Sequence, residues 1–119
     1  MKKNNIIFMG TPDFAVESLK VLIKSNYNIL GVVTATDKKR GRGKKISFSP
    51  IKNFAIKNNI PIYQPKNLKS EEFINLMKKI KPDLLVVVAF RMLPEILINI
   101  PKYGSINLHA SLLPNYRGA

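Results

Sequence analysis

Cysteine is absent from this chain of 119 residues. The absence excludes disulfide frameworks, zinc sites built on thiolates and cysteine nucleophiles. Long apolar runs are also missing: the longest, residues 84–90, has seven residues, whereas a membrane-spanning helix needs about 20. The apolar start of the chain ends at Gly10 and is too short for a signal peptide. With 45% apolar residues, the chain is predicted to be one globular, cytoplasmic domain with no membrane partner.

Acidic residues are scarce, because 7 Asp and Glu stand against 20 Lys and Arg and give a formal net charge of +13. Such an excess is typical of proteins that bind a polyanion such as nucleic acid. The alternative is compositional bias, since the chain holds 16 Lys, 15 Ile and 12 Asn, and biased lysines collect on solvated faces. Arginine is the more selective signal, and its positions are Arg40, Arg42, Arg91 and Arg117.

Short apolar segments alternate with helical patterns along the whole chain. Strands are predicted at residues 5–9, 29–34, 61–63, 84–89 and 104–108. Helices are predicted to start where a hydroxyl residue can cap the first turn, at Thr11-Pro12, Ser49-Pro50 and Ser70, the first two with proline at the first helical position. A short helix is predicted at residues 94–99. Residues 84–89 are apolar at consecutive positions, which is the pattern of a strand covered on both faces. The fold class is therefore α/β, a Rossmann-like, doubly wound and mostly parallel sheet with flanking helices.

Ligands of such sheets bind beyond the carboxyl ends of the strands, which here lead into residues 10–13, 35–48, 90–93 and 109–119. The first of these connections lacks the G-x-G-x-x-G pattern of dinucleotide folds, and Gly10 alone is equally well explained by a tight turn. Asn107 and the only histidine, His109, stand two positions apart, so they share one face of the last strand. On spacing alone, a structural role for His109 is as good an explanation as a catalytic one.

Residues 111–119, Ser-Leu-Leu-Pro-Asn-Tyr-Arg-Gly-Ala, follow this pair and favour a catalytic role for His109 over a structural one. Together with Asn107-Leu108-His109, they resemble the signature of the folate-dependent formyltransferases. Residues 8–15, Phe-Met-Gly-Thr-Pro-Asp-Phe-Ala, and the string Gly41-Arg42-Gly43-Lys44-Lys45 before Ser49-Pro50 are similar to the members of that family that act on methionyl-tRNA. The resemblance covers the whole chain in order.

The resemblance implies transfer of a formyl group from 10-formyltetrahydrofolate to the α-amino group of methionyl initiator tRNA, without a metal, in a protein that is monomeric at full length. Asn107 and His109 would be catalytic. The folate donor would be bound by Ser111, Leu112, Leu113 and Pro114. The flexible basic loop of residues 37–45 would contact tRNA through Arg40, Arg42, Lys44 and Lys45.

Three alternatives remain at this point: a glycinamide ribonucleotide formyltransferase, a sugar-nucleotide formyltransferase, and an RNA-binding remnant without catalysis. The chain also departs from many relatives at Phe90-Arg91-Met92, where Arg91 has no assigned role. The family's catalytic Asp and its carboxy-terminal barrel would lie beyond Ala119. We therefore expect residues 1–119 to be the amino-terminal part of the catalytic domain, inactive alone.

Overall fold

The structure is a computed structural model that describes residues 4–40, 43 and 45–108. Strands and helices alternate along these residues, and each of the five predicted strands is present with its ends within one residue of the predicted bounds. The elements in chain order are β1 Asn5–Gly10, α1 Asp13–Lys24, β2 Asn28–Val33, β3 Lys38–Arg40, β4 Lys45–Ser47, α2 Pro50–Lys57, β5 Ile62–Tyr63, α3 Glu71–Ile80, β6 Leu84–Val88, α4 Glu95–Ile98 and β7 Ser105–Leu108.

One sheet contains five of these strands in the order β5-β2-β1-β6-β7. Every neighbouring pair in it is parallel. The first strand lies in the middle, and the chain winds to one side of it and then to the other, which confirms the predicted doubly wound class. The winding direction changes between β1 and β6, so the ligand crevice of this fold class lies at their carboxyl ends. Within the described residues, no helix is long and apolar enough to cross a membrane.

Two separate cores cover the two faces of the sheet. Alternate residues of β1 and β6 point into opposite cores: Ile7 and Val87 pack with α3 and α4, whereas Phe8 and Val86 pack with α1 and α2. Because side chains alternate along a strand, a strand that serves two cores must be apolar at every position. The consecutive apolar residues of β6 are therefore explained, as predicted, by coverage of the strand on both faces.

Serine caps start two of the helices as predicted. Ser49 Oγ accepts from the backbone N–H of Lys52 at 3.0 Å, and Ser70 Oγ accepts from that of Phe73 at 3.2 Å, so each satisfies an orphan donor of a first turn. The prediction that Thr11 caps α1 is wrong by one residue. Pro12 itself occupies the cap position and makes no side-chain cap bond.

The basic segment predicted as a flexible loop contains a β-hairpin, which corrects that prediction. Strands β3 and β4 pair antiparallel, with Lys38 opposite Ser47 and Arg40 opposite Lys45. Gly43 lies between the strands with a φ of 82°, a left-handed conformation that glycine adopts without strain. Three-residue strands made largely of lysine lack the apolar alternation by which strands are predicted. We call residues 38–47 the basic hairpin.

Candidate functional site

The candidate site is the carboxyl edge of the parallel sheet. Gly10 of β1 is in register with Val88 of β6, and Val88 with Leu108 of β7, so these three strands end in one row. The predicted connections at residues 10–13, 35–48 and 90–93 all leave this edge, because each follows a strand of the sheet. The fold thus gathers the chemistry-bearing connections at one side of the molecule.

Asn107 lies at this edge, one residue before the end of β7. It is opposite Val87 in the ladder and is exposed to solvent. The next residue, Leu108, packs with the core beside α1 and α2, so alternation directs Asn107 to the sheet face that carries α3 and α4. His109, Ser111, Leu112, Leu113 and Pro114 lie outside the described residues.

Gly10 has a packing role at the end of β1. A Cβ atom there would lie 3.0 Å from the carbonyl oxygen of Val88 and 3.1 Å from the Cβ of Ala15. The absence of a side chain therefore lets the first turn of α1 approach the β1–β6 junction closely. Close packing, rather than an unusual backbone conformation, thus gives a structural reason for glycine at position 10.

The basic hairpin follows β2 and projects lysines into solvent. Lys38, Lys39 and Lys45 are exposed, and the backbone of Arg40 pairs with that of Lys45. Arg42 and Lys44, which the sequence analysis also assigned to tRNA binding, lie outside the described residues. Beside the hairpin, a cleft of about 360 Å³ runs between the β1–α1 turn and the hairpin base. Its lining includes Thr11, Thr36 and Phe48.

A polar network at the base of the hairpin was missed by the sequence analysis. Lys52 Nζ, in the first turn of α2, donates to both carboxylate oxygens of Asp37 at 2.9 Å and to Gln64 Oε1 at 3.0 Å. Gln64 Nε2 donates to Asp37 Oδ1 at 2.7 Å and to the carbonyl oxygen of Ala35 at 3.0 Å. We call Asp37, Lys52 and Gln64 the hairpin-base network.

The network controls the ionisation of Asp37. The hydrogen bond from Lys52, and then that from Gln64, hold the pKa of the Asp37 carboxyl below its ordinary value. A sequence signal for this site exists, because Asp37 is the only acidic residue between Glu17 and Glu71. An isolated carboxylate in a strongly basic stretch is a candidate for a specific cationic partner.

Arg91, which had no assigned role, bridges two connections at the same edge. Its guanidinium donates to the carbonyl oxygens of Pro65 at 2.9 Å and Lys66 at 3.0 Å, and it lies 4.8 Å from the centre of the Phe90 ring. The segment after β6 is thereby joined to the segment after β5. A cleft of about 450 Å³, lined by residues that include Asn67, Arg91 and Leu93, lies beside this bridge.

The formyl transferase family model matches residues 3–119. Methionyl-tRNA formyltransferase of Bacteroides thetaiotaomicron is 54% identical over 121 residues, a match that covers 100% of this chain and 38% of that protein. The proteins of the same name from Flavobacterium johnsoniae and Clostridioides difficile are 55% and 57% identical, over 100% and 96% of this chain and 38% and 37% of their own lengths. The chain thus spans under two-fifths of these relatives.

Proposed function

The chain belongs to the formyl transferase family, and on that premise we propose that it forms the amino-terminal part of the catalytic domain of a methionyl-tRNA formyltransferase. The reaction moves the formyl group of 10-formyltetrahydrofolate to the α-amino group of methionine on initiator tRNA. The family match over residues 3–119 carries the proposal, and the similarity to methionyl-tRNA formyltransferases supports methionyl-tRNA as the acceptor. The site of action is the cytoplasm, and the full-length protein is a monomer that needs no metal.

The reaction makes four chemical demands. The neutral amine attacks the formyl carbon, and the carbonyl oxygen becomes an oxyanion. A proton then leaves the amine, and the bond between the formyl carbon and the folate nitrogen breaks as that nitrogen is protonated. Placed hydrogen-bond donors at the oxyanion and a group that carries the proton are the usual protein contributions to such a step.

Asn107 and His109 meet these demands in the proposal. The Asn107 amide donates to the oxyanion without a change of charge. His109, with a reference pKa of about 6.5, donates when protonated and accepts a proton when neutral. The exposure of Asn107 at the carboxyl edge supports this role. Ser111, Leu112, Leu113 and Pro114 would bind the folate, with leucine side chains against its ring and backbone groups paired with its polar edge.

The basic hairpin is the proposed contact for the tRNA backbone, through Arg40, Arg42, Lys44 and Lys45. It follows β2, and β7 lies three strand spacings away in the sheet order, or roughly 14 Å at about 4.8 Å per spacing. That distance is the rise of about four stacked nucleotides. The ends of β2 and β7 are therefore close enough for one RNA end to span, which supports contact of the same tRNA with the basic hairpin and with Asn107.

A chimeric enzyme tests the proposal. Residues 1–119 replace the matching segment of the Bacteroides thetaiotaomicron relative, and transfer of labelled formyl from 10-formyltetrahydrofolate to initiator Met-tRNA is measured. We expect transfer by the chimera. We expect Asn107→Ala and His109→Ala each to lower kcat by roughly 10² or more, the effect of losing one oxyanion donor or proton carrier, while folate affinity changes little.

Asn75→Ala is the matched control, because Asn75 is an exposed asparagine on α3. Near-wild-type kcat in either site variant would remove that residue from the mechanism. Transfer to glycinamide ribonucleotide or to a sugar nucleotide in place of Met-tRNA would support the other formyltransferase branches. A folded chimera that binds tRNA and transfers nothing would support a non-catalytic RNA-binding role.

A further inference from the structure

We propose that the hairpin-base network is a positioning device that holds the basic hairpin against the sheet edge for the incoming tRNA. Asp37, Lys52 and Gln64 are then positioning residues, which act through the hairpin and do not touch the reacting atoms. This inference rests on the proposed function, because it assigns the hairpin to tRNA. It concerns residues that the catalytic proposal does not use.

The network joins three elements at one point. Asp37 immediately precedes β3, Lys52 lies in the first turn of α2, and Gln64 directly follows β5. The three donors of the lysine ammonium are matched by three acceptors, and both amide hydrogens of Gln64 are also used. A polar group with every partner in place has one preferred geometry. The start of the hairpin is thus fixed to the sheet and to α2 together.

Lys52 also contacts the other end of the hairpin. Its Nζ lies 3.9 Å from the centre of the Phe48 ring, within the range of a cation–π contact. The hydroxyl of the next residue, Ser49, forms a 2.7 Å hydrogen bond with that of Thr34, the residue that follows β2. One ammonium group therefore contacts the residue before β3 and the residue after β4, and so sets the direction in which the hairpin leaves the sheet.

Two other roles for Lys52 fit the geometry less well. A direct phosphate contact needs free donors, but all three donors of Lys52 have protein partners and its side chain is only 15% exposed. A mainly stabilising role is also disfavoured, because Asp37 is 32% exposed and ion pairs open to water contribute little to folding. The contacts of Lys52 therefore fit best a role in holding the basic hairpin in place.

Two variants with opposite changes of charge distinguish placement of the basic hairpin from electrostatic attraction between the protein and tRNA. Asp37→Ala removes a negative charge beside the lysines, so attraction alone predicts tighter tRNA binding. Lys52→Met removes a positive charge, so attraction alone predicts weaker binding. Placement predicts that both variants raise the KM for Met-tRNA, by about tenfold, with kcat within twofold in the chimeric enzyme. Lys52→Arg, which keeps the charge and several donors, should restore part of the loss.

The controls carry the same charge changes outside the network. Glu17→Ala matches Asp37→Ala, and Lys57→Met matches Lys52→Met on the same helix; both residues are exposed. The salt dependence of tRNA binding adds a second readout. A lost phosphate contact lowers the slope of log affinity against log salt by roughly 0.7 to 0.9. A hairpin that has lost its anchor still reaches the phosphates, so its slope is unchanged and its affinity falls by the cost of ordering it on binding.

Amide hydrogen exchange tests placement without tRNA, and so distinguishes this inference from the proposed function. In the 119-residue chain, Asp37→Ala and Lys52→Met should each speed exchange in β3 and β4 at least tenfold, with β1 and β6 unchanged. Unchanged exchange in the hairpin would overturn the inference, as would tighter tRNA binding by Asp37→Ala. Faster hairpin exchange in a chimera that does not formylate tRNA would leave placement intact and contradict the proposed function instead.

Discussion

The hairpin-base network shows which contacts cannot be predicted from single residues in the sequence. Each of its residues is unremarkable in its own segment: an acid before a lysine run, a lysine in a helix and a glutamine after a short strand. They meet because β5 pairs beside β2 and α2 packs near both. The position of Asn107 could be predicted, since it depends only on local strand alternation. The hairpin-base network depends on how distant elements are arranged, and local patterns do not contain that information.

The lowered pKa of Asp37 predicts how the hairpin-base network responds to pH. Its pKa is lowered by the hydrogen bonds from Lys52 and Gln64, so the ionised carboxylate is favoured in the folded network. The network's stabilising effect is therefore present above the unfolded value of about 3.9 and is lost as the pH falls through the lower folded value. In a carbon-13 NMR titration, the Asp37 carboxyl should titrate below the ordinary range of an aspartate, and the backbone amides of the basic hairpin should shift with it.

Lys52→Met should raise the midpoint of that titration toward the ordinary value, because the main cause of the lowered pKa is removed. A midpoint for Asp37 that does not move in Lys52→Met would contradict the assigned cause.

Secondary elements differ in how strongly the sequence signals them. The serine caps at Ser49 and Ser70 were predictable because the hydroxyl, the first turn and the following apolar stripe are all local. Residues 84–88 were predictable because a doubly covered strand is uniformly apolar. The basic hairpin was not, because its pairing rests on backbone bonds between short polar strands and a turn at Gly43.

Salt dependence tests the basic hairpin as an element. Arg42→Ala in the chimeric enzyme should weaken tRNA binding and lower the slope of log affinity against log salt by about one. Lys24 and Lys57 provide the comparison, because both are exposed in the last turns of helices and their replacement by alanine should leave the slope unchanged. Equal slopes in all three variants would show that the +13 charge acts only as a diffuse attraction.

The two edges of the five-stranded sheet differ in length. β5 has two residues, whereas β7 has four and pairs on one side with β6. Ile106 of β7 is 47% exposed. Among the described residues β7 pairs only with β6, and the unpaired backbone groups of such an edge strand are a template for pairing with another chain.

Self-association through β7 is therefore expected for the 119-residue polypeptide. Sedimentation velocity should show concentration-dependent dimers or larger species, and Ile106→Lys should suppress them because a charge on an edge strand opposes pairing. Ile46→Lys is the control, since Ile46 is 61% exposed on the basic hairpin. A monomer at every concentration, or equal suppression by both variants, would count against association through β7.

Arg91 links the two halves of the doubly wound sheet. It belongs to the segment after β6, whereas its acceptors at Pro65 and Lys66 follow β5, on the other side of the switch point. The two hydrogen bonds of Arg91 therefore connect segments that follow strands on opposite sides of the crevice at the ends of β1 and β6. A lysine has no rigid fork with which to span two carbonyls. The contact with two carbonyl oxygens therefore gives a physical reason for arginine rather than lysine at position 91.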